Sequence, residues 1–311
     1  MSWTTDDIGD LSGTRALVTG GTGGLGFHTA LELARHGADV IITARSDAKA
    51  TDTVQRLHRE LPDGSFEVLA LDLADLSDVQ RSAETALERY DRLDLLINNA
   101  GIMLTPKSET TDGFELQMGT NHLGHFAFTA RLWPLLRSSS ARVVALGSIA
   151  HTAVNGIDLD VLTKQGSARR FHRWQAYGAS KLANILFMRE LDHRVKTSGA
   201  PVVSVAAHPG YSSTNLTKTG PAVRGFSLPG AAMHQVSKIV GQSAAHGAWP
   251  TLMAATDPSL TGGEYVGPSG FQQLRGRPRL VGMTAAARND DLARVVWEAS
   301  EAATGLPFDA A

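Results

Sequence analysis

RALVTGGTGGLG, residues 15–26, is the stretch that decides the fold of this chain. It begins as a short apolar run typical of a buried strand, passes through a cluster of glycines and leads into the helical pattern GFHTALELARHG. Backbone N–H groups at the start of a helix point outward, and the helix dipole favours negative charge there. Glycines let a pyrophosphate approach the backbone and let the helix pack closely on the sheet. The stretch therefore predicts a dinucleotide-binding turn.

The glycine cluster fits two known spacings. The general dinucleotide fingerprint, G-x-G-x-x-G, is matched by Gly21, Gly23 and Gly26. A different spacing, T-G-x-x-x-G-x-G, is matched by Thr19, Gly20, Gly24 and Gly26. From the glycines alone, both interpretations remain open.

The end of the second apolar run bears on the choice of cofactor. In the general fingerprint, an acidic residue about twenty positions after the glycines bonds the ribose hydroxyls of NAD. This chain instead has Ala44 and Arg45 at that point, within TARS, and no acid. Because a guanidinium suits a 2′-phosphate, the sequence predicts NADP(H) in preference to NAD(H).

Strand-like and helix-like stretches alternate outward from this turn. Apolar runs with little polar alternation are typical of parallel strands buried on both faces. They recur as ADVIITAR, FEVLALDL, LDLLINNAG, ARVVALGS and PVVSVAAHPG. Helical patterns lie between them, including one over residues 112–136. The alternation predicts an α/β fold with a doubly wound, Rossmann-type parallel sheet of about seven strands and helices on both faces.

We expect a single domain over residues 1–311. Within it, residues 12–215 form the cofactor-binding and catalytic core, and residues 246–311 form a C-terminal extension that completes the sheet and the pocket. The segment 211–245 is rich in Gly, Pro, Ser and Thr, which is typical of a loop, so we interpret it as a substrate lid. Residues 151–174 also interrupt the alternation.

Composition excludes several classes of function. A formal net charge of −2 over 311 residues gives no basic footprint for nucleic acid. The absence of cysteine excludes disulfides, thiolate metal sites and cysteine nucleophiles. The polar start MSWTTDDIGDLSG is unlike a signal peptide, and every apolar stretch is too short to span a membrane. We therefore expect a cytoplasmic protein without an integral membrane segment.

Later motifs follow the glycine turn in a fixed order: Asp72-Leu73, Asn98-Asn99-Ala100-Gly101, Asn121, Ser148, Tyr177 with Lys181, and HPGYSST at 208–214. In this order they resemble the short-chain dehydrogenase/reductase family over roughly residues 12–215. The stretch YGASKLANILF and the long gap before it resemble the branch of retinol dehydrogenases and protochlorophyllide reductases. Compact members of the family use T-G-x-x-x-G-x-G. The resemblance therefore favours the second spacing and makes Gly21 and Gly23 an accidental match.

The later motifs include residues suited to proton transfer. Transfer of a hydride between a nicotinamide and a carbonyl needs a proton donor for the substrate oxygen. Lys181 follows Tyr177 by one helical turn and lies on the same face, where a cation stabilises the phenolate and lowers the tyrosine pKa. The resemblance implies that Lys181 also binds the nicotinamide ribose and that Ser148 holds the substrate oxygen. It further implies that Asn121 orders a water that links Lys181 to solvent.

The resemblance also implies cofactor contacts along the chain. Asp72 is expected beside the adenine, Asn99-Ala100-Gly101 along the cofactor, and Pro209-Gly210 at the nicotinamide. The complete expected set of cofactor-binding residues is Gly20, Thr22, Gly24, Leu25, Gly26, Arg45, Asp72, Leu73, Asn99, Ala100, Gly101, Tyr177, Lys181, Pro209, Gly210 and Thr214.

Together these residues predict an NADP(H)-dependent oxidoreductase that interconverts a carbonyl and an alcohol, a carbonyl reductase in one direction. Two alternatives stay open: a reductase of carbon–carbon double bonds, as in the same branch, and a non-catalytic NADP-binding sensor or scaffold. In the lid, Phe226, Leu228 and Met233 suggest an apolar pocket and favour a small-molecule substrate that is a hydrophobic carbonyl compound, a ketone or aldehyde, or the corresponding alcohol. The resemblance is also compatible with a homo-oligomer.

Two further features receive structural interpretations. His122 and His125 are three positions apart, but no acid or third histidine completes a metal site, so we interpret them as core or surface residues and predict no metal. The run ARRFHRWQ, residues 168–175, mixes arginines with aromatics. Because the chain around it is not basic, we interpret it as an active-site flap or a solvated surface.

Overall fold

The computed structural model describes residues 3–164, 171–211 and 242–310. Within these ranges the apolar runs form one eight-stranded sheet. The strands are β1 (Arg15–Val18), β2 (Asp39–Ala44), β3 (Phe66–Ala70), β4 (Leu95–Asn98), β5 (Arg142–Leu146), β6 (Val203–Ala207), β7 (Tyr265–Pro268) and β8 (Pro278–Leu280).

The order of the strands across the sheet is β3-β2-β1-β4-β5-β6-β7-β8. The first seven strands in the chain are parallel, which confirms the predicted doubly wound Rossmann-type fold. The strand order reverses between β1 and β4, and open sheets of this kind bind ligands outside the carboxyl ends of the strands at such a point. The short β8 is one strand more than predicted. It pairs antiparallel with β7, and Leu280 lies opposite Val266.

Helices cover both faces of the sheet. Within the described ranges they are α1 (Gly24–Arg35), α2 (Asp47–Glu60), α3 (Leu76–Arg89), α4 (Leu116–Met118), α5 (Gly124–Arg131), α6 (Trp133–Ser138), α7 (Arg173–Ser198), α8 (Ala244–Thr256) and α9 (Asp290–Thr304). One core forms where α1 and α8 pack on the sheet, and the other where α3, α5, α7 and α9 pack on the opposite face. None of these helices combines the length and apolar character needed to cross a membrane.

The predicted helix over residues 112–136 is wrong in detail. The chain first forms a turn in which Gly113 has a φ of +87°, and helical structure begins only at Leu116. A π-helical turn over Gly119–Leu123 then separates α4 from α5. Pro134 lies in the first turn of α6, where its missing N–H costs no helical hydrogen bond, so the helix starts anew there. A single π-helical turn inside a helix is frequent at functional sites.

Candidate active site

A cavity of about 600 Å³ lies at the carboxyl ends of the strands and brings most of the expected residues together. The expected residues that line it are Gly20, Thr22, Gly24, Leu25, Gly26, Arg45, Asp72, Leu73, Asn99, Ala100, Gly101, Tyr177, Lys181 and Pro209. Ser148 follows Gly147, which also lines the cavity, whereas Thr214 lies outside the described residues. The cavity is therefore lined by the glycine turn, by Arg45 and by the expected catalytic pair of Tyr177 and Lys181.

Three positions of the turn require glycine, two because of their backbone conformation and one because of a close contact. Gly20 and Gly24 have φ values of +66° and +54°, in the left-handed region that favours glycine. A Cβ on Gly26 would lie 2.5 Å from the Gly20 carbonyl oxygen, so only glycine fits there. Each glycine of the T-G-x-x-x-G-x-G spacing therefore has its own structural requirement.

The other two glycines of the cluster differ from each other. Gly23 has a φ of 178°, an extended conformation open to any residue. A Cβ on Gly21, however, would lie 2.6 Å from Cβ of Ile42 on the neighbouring strand β2. Gly21 therefore permits close packing of the turn against β2, a requirement separate from its match to the G-x-G-x-x-G spacing.

Thr19 joins the glycine turn to the end of β4. Its hydroxyl accepts hydrogen bonds from the backbone N–H groups of Asn99 and Ala100, both at 2.9 Å. The side chain of Asn99 in turn donates to the Thr19 carbonyl oxygen at 2.7 Å. These bonds hold the two chain segments that flank the switch point in one fixed arrangement.

Arg45 follows β2 at the rim of the cavity. Its side chain is 63% exposed, and its Nη1 lies 3.9 Å from Oδ1 of Asp72. Lys49, in the first turn of α2, lines the same cavity and was missed by the sequence analysis. The available signal was a second cation in the first turn of the helix that directly follows Arg45.

Tyr177 and Lys181 are both buried near the start of the long helix α7. Nζ of Lys181 donates to the Leu146 carbonyl oxygen at 3.0 Å and lies 5.9 Å from the centre of the Tyr177 ring. Burial lowers the pKa of Lys181 to about 8. The carboxyl end of β5 thus directs the ammonium group into the site.

The pKa of Tyr177 departs from the sequence-based expectation. Burial has the largest effect and raises the pKa above its ordinary value, while a hydrogen bond with the Ser148 side chain acts in the opposite direction. Lys181 is not among the groups that shift the pKa of Tyr177 in this arrangement. A neutral phenol at neutral pH is a proton donor, as reduction of a carbonyl requires.

Ser148 is placed by the end of β5 and the start of a 3-10 helix over Ile149–Ala153. Its Oγ accepts a hydrogen bond from the Ala150 N–H at 3.2 Å, and its carbonyl oxygen lies 2.7 Å from Nδ1 of His151. The two contacts hold the side chain and the backbone of Ser148, and its hydroxyl also forms a hydrogen bond with Tyr177.

Asn121 lies in the π-helical turn and uses its side chain to hold the chain after β4. Its Oδ1 accepts from the Ile102 N–H at 2.8 Å, and its Nδ2 donates to the Ile102 carbonyl and to Oγ of Ser180, both at 3.0 Å. A Cβ on Gly101 would lie 3.2 Å from Oδ1 of Asn121 and 3.4 Å from Nζ of Lys181. The glycine is therefore enclosed by both side chains, and the role of Asn121 in ordering water stays a prediction.

The Pro209-Gly210 turn rests on the β7–β8 hairpin. Gly210 has a φ of +64°, and a Cβ there would lie 2.5 Å from the Leu274 carbonyl oxygen. Nε2 of His208 lies 2.9 Å from Oε1 of Gln273, within the same hairpin. The predicted lid, residues 211–245, is described only at its two ends, where the Gln242 N–H donates to the Tyr211 carbonyl at 3.0 Å.

Buried histidines surround the site. Burial lowers the pKa of His122 to about 4, of His125 to about 3 and of His208 to about 4. Within the described ranges, no group of three or more histidine, aspartate or glutamate side chains is arranged to hold a metal ion. His122 and His125 are 2% and 3% exposed and lie in the core.

These pKa values predict acid sensitivity of the fold. Below pH 6.5, the ordinary histidine pKa, the unfolded chain binds protons that the folded chain does not, so stability is lost as the pH falls towards 4. We expect the free energy of unfolding to fall by about 4 kcal/mol between pH 7 and 5.5 for the three histidines together. Urea unfolding at both pH values measures this. His122→Phe should remove about a third of the decline, and equal stability at the two pH values would contradict the prediction.

Comparison with known proteins agrees with the family resemblance of the sequence motifs. A model of the short chain dehydrogenase family matches residues 14–157. Retinol dehydrogenase 13 of Homo sapiens is 35% identical over 300 residues, which cover 95% of this chain and 86% of that protein. A crystal structure of an uncharacterized protein from Mycobacterium paratuberculosis has a TM-score of 0.80 and 39% identity, and covers 99% of both chains. The RhlG/NADP active-site complex of Pseudomonas aeruginosa is 28% identical with a TM-score of 0.63, over 82% of this chain and 94% of that one.

Proposed function

This chain belongs to the short-chain dehydrogenase/reductase family, in its retinol-dehydrogenase-like branch, and we propose that it is an NADP(H)-dependent enzyme that interconverts a carbonyl and an alcohol. The observation that carries the proposal is the common cavity of the glycine turn, Tyr177 and Lys181, with Ser148 hydrogen-bonded to Tyr177. In this proposal residues 12–215 bind the cofactor and catalyse the reaction, and residues 211–245 cover the substrate. A hydrophobic ketone or aldehyde is the proposed substrate class.

The residues that line the cavity support the binding of a dinucleotide. The turn over Gly20–Gly26 offers a close backbone approach and the N-terminus of α1, the setting that binds a pyrophosphate. Asp72 and Asn99 to Gly101 continue along the same cavity to Lys181. When bound there, NADP(H) supplies or accepts the hydride.

The chain's own residues then transfer the proton to and from the substrate oxygen. In reduction, the Tyr177 phenol donates its proton to the substrate oxygen while the carbonyl carbon gains the hydride, and in oxidation the phenolate takes the proton back. Ser148 donates a hydrogen bond that holds the same oxygen. Lys181 is a cation one helical turn from Tyr177, so it stabilises the phenolate that remains after the proton has left.

Arg45 carries the proposed preference for NADP(H). Arg45→Glu replaces attraction to a 2′-phosphate by repulsion, so we expect KM for NADPH to rise by about 30-fold. KM for NADH should change by less than about threefold, because NADH has no 2′-phosphate. Steady-state kinetics with both cofactors measures the difference, with Arg294→Glu, an exposed change on α9 outside the cavity lining, as the control. Equal changes in the two KM values would remove Arg45 from this role.

The reaction class is tested by mixing the purified chain and NADPH with a panel of ketones, aldehydes and enones. Loss of NADPH absorbance with a ketone or aldehyde, together with formation of the alcohol, supports the proposal. Turnover of enones to saturated ketones alone identifies a double-bond reductase instead. Tight NADPH binding without turnover of any compound identifies a sensor or scaffold.

A further inference from the structure

His125 lies between two parts of the proposed site and contacts both. It is 3% exposed and belongs to the first turn of α5, directly after the π-helical turn. Its Nδ1 lies 2.9 Å from the Asn121 carbonyl oxygen, and its Nε2 lies 2.9 Å from Oγ1 of Thr19. One imidazole ring therefore spans the distance from the glycine turn to the turn that carries Asn121.

The partners of the ring determine which nitrogen carries the hydrogen. A backbone carbonyl can only accept, so Nδ1 of His125 must donate to Asn121. Nε2 is then the acceptor, and the Thr19 hydroxyl donates to it. The same hydroxyl already accepts from the N–H groups of Asn99 and Ala100, so both of its lone pairs are used as well. The Ile97 carbonyl, at 3.3 Å, is a more distant alternative acceptor for the hydroxyl hydrogen.

The imidazole ring of His125 is uncharged at neutral pH. Burial is the largest effect on His125 and lowers its pKa to about 3, and the nearby Lys181 acts in the same direction. The ring therefore stays neutral in the range where an oxidoreductase of this kind works. It can orient its neighbours, but it does not exchange a proton with them.

We propose that His125 is a positioning residue that ties the cofactor-binding turn at Thr19 to the π-helical turn at Asn121. The inference rests on the proposed function, because it concerns how that cofactor and that reaction are aligned. Asn121 in turn holds Ile102, and its side chain lies with Nζ of Lys181 around Gly101. A change at His125 thus acts on the end of the cavity that contains Tyr177 and Lys181 as well as on the glycine turn.

The chain offers a matched control in His122. That residue is equally buried in the neighbouring turn, and burial lowers its pKa as well. Its Nε2 bonds Oγ of Ser300 on α9 at 2.8 Å, and its other hydrogen bond is with Asn184 on α7. His122 therefore matches His125 in burial but has no bond to the glycine turn.

The experiment compares His125→Phe, His125→Gln and His122→Phe. We expect His125→Phe to raise the Kd of NADPH about tenfold and to lower kcat about tenfold, because it loses a donor and an acceptor. His125→Gln keeps one of each and should recover most of both losses. His122→Phe should lose a similar amount of thermal stability while its Kd for NADPH stays within about twofold of wild type. NADPH fluorescence titration, steady-state kinetics and thermal melts give these values.

The inference would be overturned if His122→Phe and His125→Phe affected NADPH affinity equally, or if His125→Gln were no better than His125→Phe. Either result would leave the proposed function intact. Wild-type protein that fails to bind NADPH would instead overturn the proposed function. Nitrogen-15 NMR of histidine-labelled wild-type protein needs no variant. It should show His125 as the neutral Nδ1–H tautomer at pH 6, and the Nε2–H tautomer or a charged ring there would also overturn the inference.

Discussion

Tyr177→Phe should lower kcat by about 10³-fold while the Kd of NADPH stays within about threefold of wild type. The variant lacks the proton donor of the proposed reaction, and general acid catalysis contributes roughly 10²–10⁴-fold. The phenyl ring still fills the buried space at the start of α7, so the cavity keeps its shape. Single-turnover measurements with saturating NADPH separate the chemical step from binding.

Tyr90→Phe provides a control for the loss of a tyrosine hydroxyl. Tyr90 follows α3 and is not among the residues that line the cavity, and its hydroxyl donates to Oε2 of Glu67 at 3.1 Å. This variant should lose about 1 kcal/mol of stability and keep its turnover. Normal turnover of Tyr177→Phe would refute the mechanism, and the loss of NADPH binding in that variant would point to a structural role of the residue instead.

Gly26→Ala should weaken NADPH binding about 100-fold and lower the free energy of unfolding by about 2 kcal/mol. The added methyl group would lie 2.5 Å from the Gly20 carbonyl oxygen and 2.6 Å from Nδ2 of Asn99. Neither contact can relax cheaply, because the first is backbone and the second belongs to the bond that Asn99 makes with Thr19. The start of α1 must therefore move away from the position that binds a pyrophosphate.

Gly9→Ala is the matched control for the same chemical change. A Cβ on Gly9 would meet no heavy atom within 4 Å, and this glycine lies before β1, away from the glycine turn. We expect unchanged affinity for NADPH, measured by fluorescence titration, and stability within about 0.5 kcal/mol of wild type. Wild-type affinity in Gly26→Ala would show that the turn does not hold the pyrophosphate.

The sheet, and the positions of the site residues along its edge, could be predicted from the sequence for a physical reason. Parallel strands buried on both faces leave near-continuous apolar runs, and side chains directly after those runs meet at one edge of the sheet. Arg45, Asp72, Asn99 and Ser148 each follow such a run, and the first three line the same cavity. Tyr177 and Lys181 were predictable as a pair because one helical turn separates them.

The missed features depend on contacts between distant segments. Nothing in the local pattern of residues 112–136 reveals a π-helical turn, since its apolar residues also suit an unbroken helix. The need for glycine at position 21 comes from Ile42 on another strand. The His125 ring contacts Thr19, which lies more than a hundred residues earlier in the chain, so no local pattern reveals this contact. β8 has only three residues, two of them exposed, so it leaves no buried apolar run to detect.

This last strand affects how the sheet meets other chains. An edge strand presents unpaired N–H and C=O groups that can template aggregation. β8 covers that edge of β7 with a segment that begins at Pro278, which has no N–H to donate, and continues with the exposed Arg279. A strand from a second molecule would find few donors and a positive charge at this border. We therefore expect the short hairpin to limit extension of the sheet by another molecule on that side.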